Sequence, residues 1–348
     1  KTKDGKDFRG GPSYYMEKAL GKRWMGVLFS VLLIICFAYG FNGLQSYNMS
    51  SALEYYIPGY SESSYPMIVG LILAVGTGLI IFGGVHRIGF ITSVMVPIMA
   101  GAYLLMGLFT IVTHLPQLPG VFAMILSEAF DFQAIFGGMA GSAVVIGIKR
   151  GLFSNEAGMG SAPNAAASAS VSHPAKQGMV QVISVFIDTL LICSATAMML
   201  LLSGVQGEAG VLDGIPFVQK AISANVGTWG IHFITASIFA FAFSSLIGNY
   251  YYAESNILFI KNNKVLLFVF RCTCLLAVFL GAQADFSLVW NLADITMGCM
   301  AIVNIIAILL LGNIALKVLK DYETQKKAGK NPVFKAENVG IKNTDCWK

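Results

Sequence analysis

Polar residues that could do chemistry are scarce in this chain, and a glycine-rich stretch, residues 136–169, holds several of them. It contains seven glycines together with the pairs Lys149-Arg150 and Asn155-Glu156, and long apolar segments flank it. Glycine tolerates backbone conformations that other residues resist, so a helix can unwind there and offer free N–H groups to an anionic carboxylate. The alternative is a close-packed helix pair followed by a loop on the cytoplasmic side.

The depth of such a break can be counted along the helix. If a span enters from the outside near residue 132, a rise of about 1.5 Å per residue puts the membrane centre in the FGGMAG block. We therefore expect the carboxylate contacts at Phe136, Gly137, Gly138, Met139 and Gly141. The Lys-Arg pair would then be an anchor at the cytoplasmic face. A break at the later SNEAG block requires a helix that sits deeper than its charges suggest.

A hydroxyl pair, Ser244-Ser245, is the clearest candidate for a cation site. It lies in an apolar helix, and the carbonyl of Phe241 precedes it by about one turn. Hydroxyl and backbone carbonyl oxygens suit a dehydrated Na⁺, since hard cations take oxygen ligands and a monovalent one needs little negative charge. Serine pairs are also ordinary helix-packing residues, so the pattern alone leaves both interpretations open.

Three side-chain amides, Asn42, Gln45 and Asn48, follow one another at intervals of three residues. This spacing places them on roughly one helix face. Exposing side-chain amides to lipid costs free energy, so this helix face should point into the protein. They could hydrogen-bond to neighbouring helices or contact a bound ligand. Gln45 is the first choice for a ligand contact, with Phe41 or Asn42 as its neighbour.

The remaining ionisable candidates are Asp188 and Glu156. Asp188 lies near the middle of an apolar segment, and a lone carboxylate at mid-bilayer is a functional-site hypothesis, here for cation coupling. The alternative is a buried acid paired with a hydroxyl or a backbone group. Glu156 and its neighbour Asn155 are candidates for an inner gate or for a structural hydrogen-bond knot.

Composition identifies a membrane protein with many spans. Of the 348 residues, 56% are hydrophobic and 12% are charged, whereas a soluble domain has about 25% charged residues. The six cysteines show no ligand spacing, so we expect neither a disulfide framework nor a metal site. The net charge of +5 is explained by basic loops and requires no nucleic-acid partner.

Eight segments are long and apolar enough to be transmembrane helices. They cover residues 24–45, 65–82, 89–112, 132–148, 178–202, 226–247, 265–283 and 288–312. All but two of the 23 Lys and Arg residues fall in alternate connections, including the N-terminal segment 1–23 and the tail 313–348. Since positive residues collect on the cytoplasmic side, both ends of this chain are predicted to be cytoplasmic.

Several separated sequence blocks resemble the alanine or glycine:cation symporter family of bacteria and archaea. In chain order they are GGPSYYMEKALGKRW, NGLQSYN, RGLFSNEAGMGSAP, HPAKQG, FIDTLLIC, AFSSLIGNYYYAE, YETQKKAGKNPVF and GIKNTDCWK. A match of many blocks in family order is more specific than any single glycine motif. The resemblance implies an all-α membrane bundle of the leucine-transporter type, built from two inverted five-helix repeats, with the eight segments as core helices three to ten.

The resemblance also implies a function. It is sodium-coupled uptake of a small neutral amino acid by alternating access, in a prokaryotic cell membrane, without covalent chemistry and with Na⁺ as the coupling ion rather than a cofactor. The implied substrate contacts are Phe41, Asn42, Gln45, the residues of the FGGMAG block given above, Ser245 and Asn249. The implied Na⁺ ligands are Phe241, Ser244 and Ser245. Asp188, Asn155 and Glu156 remain candidates for coupling or gating.

Two features depart from the family or extend beyond this chain. Most members resemble Gly-Trp where this sequence has Gly248-Asn249, so the pocket should be larger and more polar, and we expect glutamine, asparagine or serine as cargo. The family also implies three earlier spans, so we expect no transport by the 348 residues alone. The oligomeric state and the coupling stoichiometry do not follow from the sequence.

Three alternatives stay open. Protons could replace Na⁺ as the coupling ion. An intramembrane enzyme could use Ser154, His173 or Asp188, although no GxSxG or HExxH motif is present. An ion channel would need a repeated filter sequence, and none is present.

Overall fold

The computed structural model describes residues 1–4, 7–83, 85–130, 139–207, 212–341 and 344–347, with only the backbone described for residues 4, 7, 85–92 and 139–144. Most of this part is helical, because inside lipid a helix satisfies its own backbone N–H and C=O groups. A short antiparallel hairpin, β1 (Thr2–Asp4) with β2 (Asp7–Arg9), begins the chain.

The helices are as follows. In chain order they are α1 (Pro12–Lys18), α2 (Arg23–Leu33), α3 (Asn42–Ser51), α4 (Tyr65–Gly83), α5 (Val85–Thr113), α6 (Leu118–Ala129), α7 (Met139–Ser154), α8 (Ala162–Ser168), α9 (Pro174–Phe186), α10 (Ser194–Leu201), α11 (Gly214–Val226), α12 (Trp229–Ile260), α13 (Lys264–Gly281) and α14 (Phe286–Lys327). Short 3-10 turns cover Glu54–Tyr56, Tyr60–Glu62, Leu115–Gln117 and Ala336–Val339.

Two wider π-helical segments join helices end to end. The segment Ile34–Phe41 connects α2 to α3, and Ile187–Cys193 connects α9 to α10. We call Arg23–Tyr56 the first long helix, since it is continuous through its π segment. π-helical turns are rare and occur frequently at functional sites.

Seven helices in the described part are long and apolar enough to cross a membrane, so the chain is a polytopic helical membrane protein. They are Arg23–Tyr56, Tyr65–Gly83, Ser93–Thr113, Pro174–Leu201, Trp229–Ile260, Lys264–Gly281 and Phe286–Lys327. The predicted fourth span, 132–148, begins outside the described residues, and its helix α7 continues to Ser154. The count of eight spans therefore stays a prediction.

Several helices are longer than the predicted spans, because they continue through polar residues that lie beyond the apolar segment. α12 ends at Ile260, and its last turns bury Glu254 and Asn256. Glu254 accepts a hydrogen bond from Arg271 of α13 at 3.1 Å, and Asn256 donates one to the side chain of Asn164 at 3.2 Å. A helix does not have to end where its apolar residues end if neighbouring helices bind its polar side chains.

The centre of the bundle is formed where the first long helix crosses α12 and α13. Side chains four residues apart on α3 bind groups four residues apart on α13. Asn42 donates to Cys274 Sγ at 3.2 Å, and Ser46 and Ser50 donate to the carbonyls of Val278 and Ala282 at 2.6 and 2.8 Å. Small polar residues thus hold the two helices close together, as is typical of helix contacts in membranes.

The basic tail folds back onto the start of α9. His173 is fully buried, its Nδ1 accepts a hydrogen bond from the Ala175 N–H at 3.1 Å, and its Nε2 lies 3.1 Å from Asp321 of α14. The rings of Tyr322 and Phe334 pack against it. His173 is thus a structural cap of α9.

The close contact of α3 with α13 gives a stability prediction. A methyl group added at Gly281 would overlap the backbone of Gly43, which cannot move aside. We expect Gly281→Ala to cost about 1–3 kcal/mol of folding free energy, the usual effect of overpacking. The measurement is the melting temperature of the purified protein in detergent.

The matched control is Gly298→Ala on α14, where an added Cβ has nothing within 4 Å. This change should leave the melting temperature equal or slightly higher, because alanine favours the helix. Equal melting temperatures for the two variants would contradict the packing argument.

Candidate functional site

The helix that contains the glycine-rich stretch is interrupted after Ser154. α7 is continuous from Met139, the chain leaves the helical conformation at 155–161, and α8 begins at Ala162. Within the interruption, Glu156, Gly158 and Gly160 have φ values of 55°, 77° and 94°, the left-handed region that glycine tolerates best. An interruption therefore lies at SNEAG, the later of the two blocks considered.

The residues of the FGGMAG block lie outside the described residues or have only their backbone described. Phe136, Gly137 and Gly138 lie outside the described residues, and only the backbone of Met139 and Gly141 is described, in the first turn of α7. The substrate contacts predicted there stay predictions.

The count from residue 132 favours the earlier block and thereby makes Lys149 and Arg150 an anchor at the cytoplasmic face. Both pair instead with Asp294, near the start of α14. The guanidinium of Arg150 donates to both carboxylate oxygens at 3.1 and 2.8 Å, and Lys149 Nζ lies 2.5 Å from Oδ2. A cation with a buried carboxylate partner does not have to lie at the membrane surface.

The interruption brings α7 against the second π segment. Ser154 donates a hydrogen bond to Asp188 Oδ2 at 2.5 Å and lies 3.0 Å from Cys193 Sγ. Asn155 donates to the Gly151 carbonyl at 2.9 Å and to Thr189 at 3.4 Å. Asp188, predicted from its isolation in an apolar segment, therefore lies beside the break, where a hydroxyl group binds it.

Glu156 and Asn155 also stabilise the non-helical backbone. Asn155 Oδ1 accepts from the Ala157 N–H at 3.0 Å, and Glu156 accepts a short hydrogen bond from Ser161. These contacts are those of a hydrogen-bond knot, the structural alternative considered for this pair. They also place two carboxylates, Glu156 and Asp188, next to one interruption.

The opposite side of the interruption contacts the first long helix and α14. Asn304 donates to the Gly158 carbonyl at 2.8 Å, and Tyr15 donates a short hydrogen bond to Asn304. A side chain at Gly160 would lie 2.8 Å from Phe29 and 3.0 Å from Asn304. Asn304 is thus part of the surroundings of the break.

The amide face of α3 is divided between two environments. Asn249 of α12 donates to Asn42 Oδ1 at 3.1 Å, and both residues are buried, so Asn42 connects α12 with α13. Gln45 is half-buried and makes no hydrogen bond with another described residue. Phe41 turns to the interruption, since its ring packs 5.3 Å from that of Phe153 on α7. The amide of Gln45 is thus free to bind a ligand, Phe41 is buried against two other rings, and Asn42 is engaged in helix contacts.

The serine pair lies on another part of α12. Ser244 donates to the Phe241 carbonyl at 2.8 Å, and Ser245 is half-buried with no hydrogen-bond partner among the described residues. The ring of Phe241 packs against Tyr103 of α5. Hydrogen bonds and ring contacts of the described residues do not join this pair to the interruption.

Sequence analysis did not identify some residues of the site. Asp294 and Asn304 contact α7 and the interruption, and Trp290 packs against Phe153 with ring centroids 5.5 Å apart. A lone carboxylate in the last predicted span, together with a Lys-Arg pair that had no assigned partner, would have indicated an ion pair between them. No group of three or more His, Cys, Asp or Glu side chains suited to a metal ion occurs in the part of the chain that the structure describes.

Comparisons with known proteins cover nearly the whole chain. The model of the sodium:alanine symporter family matches residues 1–336. The amino-acid carrier protein AlsT of Bacillus subtilis is 47% identical over 349 residues, which span 100% of this chain and 73% of that protein. The probable sodium/glutamine symporter GlnT of the same organism is 47% identical over 348 residues, 100% of this chain and 72% of that protein. A sodium/proton-dependent alanine carrier protein of Bacillus sp. is 38% identical over 298 residues, 81% of this chain and 67% of that protein.

Proposed function

The chain belongs to the sodium:alanine symporter family, and we propose that it binds a small neutral amino acid and Na⁺ between its helices and carries both across the cell membrane by alternating access. The names of the family and of relatives such as GlnT describe sodium-coupled amino-acid uptake. We also propose which residues bind the cargo, what the cargo is and how the chain is oriented in the membrane.

The observation that carries the proposal is the interruption at 155–161. Irregular backbone at membrane depth is tolerated only where it is buried in protein or lines a cavity, and interrupted helices form the substrate sites of many transporters. The first long helix, α14 and the second π segment contact this segment. We therefore propose the interruption as a backbone contact of the amino acid beside those predicted in the FGGMAG block, with Phe41 and Gln45 on the facing helix.

The packing of the helices supports the leucine-transporter type of fold. If the eight predicted spans are core helices three to ten, an inverted repeat pairs the third with the eighth and the fourth with the ninth. In the structure α12 crosses the first long helix, and α13 packs along α4. Both ends of the chain would then be cytoplasmic, as the distribution of basic residues predicts.

We propose Ser244, Ser245 and the Phe241 carbonyl as ligands of the transported Na⁺. The carbonyl of Phe241 accepts the Ser245 N–H within the helix and the Ser244 hydroxyl, so an ion would bind it in place of the Ser244 hydrogen. The Ser245 hydroxyl makes no described hydrogen bond, so its oxygen is available without breaking one. Such weak, neutral oxygen ligands allow the ion to bind and to leave.

Replacing Ser245 tests this site. Ser245→Ala removes one oxygen ligand, worth about 1–2 kcal/mol, so the Na⁺ concentration for half-maximal uptake should rise about tenfold. The measurement is sodium-dependent amino-acid uptake by the full-length protein in vesicles. Ser184→Ala is the control, since Ser184 is an exposed serine that donates to the Gln181 carbonyl at 2.7 Å. An unchanged sodium dependence in Ser245→Ala would exclude this ligand.

The cargo is proposed to be larger or more polar than alanine. Asn249 is buried and donates to Asn42, and its side chain is smaller and more polar than the Trp of most family members. A smaller, polar side chain leaves room for a longer cargo such as glutamine, asparagine or serine. The name of the relative GlnT supports glutamine among these.

A larger side chain at position 249 should change which amino acid the protein prefers to transport. We expect Asn249→Trp to reduce competition by glutamine at least about tenfold relative to alanine, because one or two excluded polar groups cost about 1–3 kcal/mol. Competition for uptake of a labelled amino acid measures the preference. Asn249→Ala is the matched control, since it removes the bond to Asn42 without filling the space. A wild-type protein that takes only alanine and glycine would contradict the proposal.

Proton coupling is the second candidate, favoured by the two carboxylates beside the interruption. Asp188 accepts from Ser154 and Glu156 accepts from Ser161, so either group could take up and release a proton. The name of the relative from Bacillus sp. mentions both ions.

A sodium-free assay separates the two coupling ions. If protons drive transport, an inward pH gradient without Na⁺ should support uptake, and Asp188→Asn should abolish it by removing the proton site. Ser154→Ala is the control, because it removes the hydrogen-bond donor and keeps the carboxylate. Uptake that needs Na⁺ and ignores the pH gradient would leave sodium as the coupling ion.

A further inference from the structure

One buried carboxylate, Asp294, holds together two elements that flank the proposed pocket. Its side chain is 6% exposed and pairs with Arg150 through two hydrogen bonds and with Lys149 through one ion contact. The cations belong to α7, just over one turn before the interruption, and the carboxylate belongs to α14. The cluster therefore ties the end of the interrupted helix to the last span.

Aromatic rings extend the cluster into a layer. The guanidinium of Arg150 lies 4.2 Å from the ring centre of Trp290 and 5.5 Å from that of Phe153. The ring of Phe153 in turn packs 5.3 Å from Phe41 and 5.5 Å from Trp290. Ring contacts thus connect the first long helix, α7 and α14. Phe41 and the residues after Phe153 belong to the proposed pocket, so the layer lies directly on it.

The position of the layer along the helices indicates which side it covers. Trp290 and Asp294 lie in the first three turns of α14, at the opposite end from the basic residues of its last turn. The basic end is the proposed cytoplasmic end. The layer therefore lies on the outer side of the interruption, between it and the extracellular water.

The exposure of the three charges differs in a way that suits a reversible closure. The side chains of Lys149 and Arg150 are 39% and 38% exposed, whereas Asp294 is almost fully buried. The cations can be hydrated when the cluster separates, but Asp294 is stable without them only if water enters. Separation of the pair is thus coupled to hydration of the path. Trp290 Nε1, which is buried and has no hydrogen-bond partner among the described residues, would also gain one from that water.

We propose that Asp294, Arg150 and Lys149 form the outer latch of the carrier, which must open for the amino acid to enter and which closes the aromatic layer over it. The inference rests on the proposed function and deepens it. It assigns positioning and gating to these three residues, not contact with Na⁺ or with the amino acid.

A native cysteine beside the interruption reports whether the latch is open. Cys193 Sγ lies 3.0 Å from Ser154 Oγ and is half-buried, beneath the layer. In right-side-out vesicles that contain the full-length protein, a membrane-impermeant maleimide labels it only if the outer path is open. Labelling of Cys193 is the difference between the labelling of the protein and that of its Cys193→Ser variant.

Asp294→Asn should raise the rate of this labelling about tenfold or more, since it removes the carboxylate that both cations share. Arg150→Gln should raise it less, because Lys149 keeps its contact with Asp294. The charge exchange R150D/D294R should bring the rate back toward that of the wild type. Sodium-dependent uptake should fall in both single variants and recover in part in the exchange.

Glu254→Gln is the matched control, because it breaks another largely buried ion pair, with Arg271 at 3.1 Å, between α12 and α13. It should leave Cys193 labelling unchanged. Equal increases in Glu254→Gln and Asp294→Asn would mean general loosening and would overturn the latch. Unchanged labelling in Asp294→Asn, with a wild type that transports, would overturn it too. Absence of sodium-dependent uptake in the wild type would instead reject the proposed function.

Discussion

Inside a bilayer every backbone N–H and C=O needs a partner within the protein, and most of this chain meets that requirement by being helical. The segment 155–161 is the exception among the described residues near the centre of the bundle. Its backbone is stabilised by side chains, with Asn304 binding the Gly158 carbonyl and Asn155 binding the Ala157 N–H. The packing of α14 depends on this need, because α14 contributes Asn304.

The same reasoning applies to charge. Asp294 is buried, so it requires the cations of α7, and the cations draw the end of that helix to the start of α14. The carboxylates of Asp188 and Glu156 are bound by serine hydroxyl groups instead. Ion pairs and hydroxyl groups thus hold the interrupted helix in position on both of its sides. A carrier that must change conformation gains from contacts of this kind, since water can replace them when a path opens.

The family and the helical membrane architecture could be predicted from the sequence. Long apolar segments and few charges require membrane helices, and the ordered sequence blocks identified the symporter family. Ser244, Ser245, Asp188 and Gln45 were recognised because a polar side chain in an apolar helix is costly and needs a reason. Their roles in transport remain proposals.

The sequence by itself therefore determined the class of protein, its family and the short set of polar residues inside the membrane, because the cost of burying polar groups acts residue by residue. Only the tertiary structure decided which polar residues meet and that the helix is interrupted at 155–161. Lys149 and Arg150 looked like surface anchors because charge alone predicts a position in water. Their partner, Asp294, comes from a helix more than a hundred residues later in the chain, and a contact between such distant residues is fixed by packing.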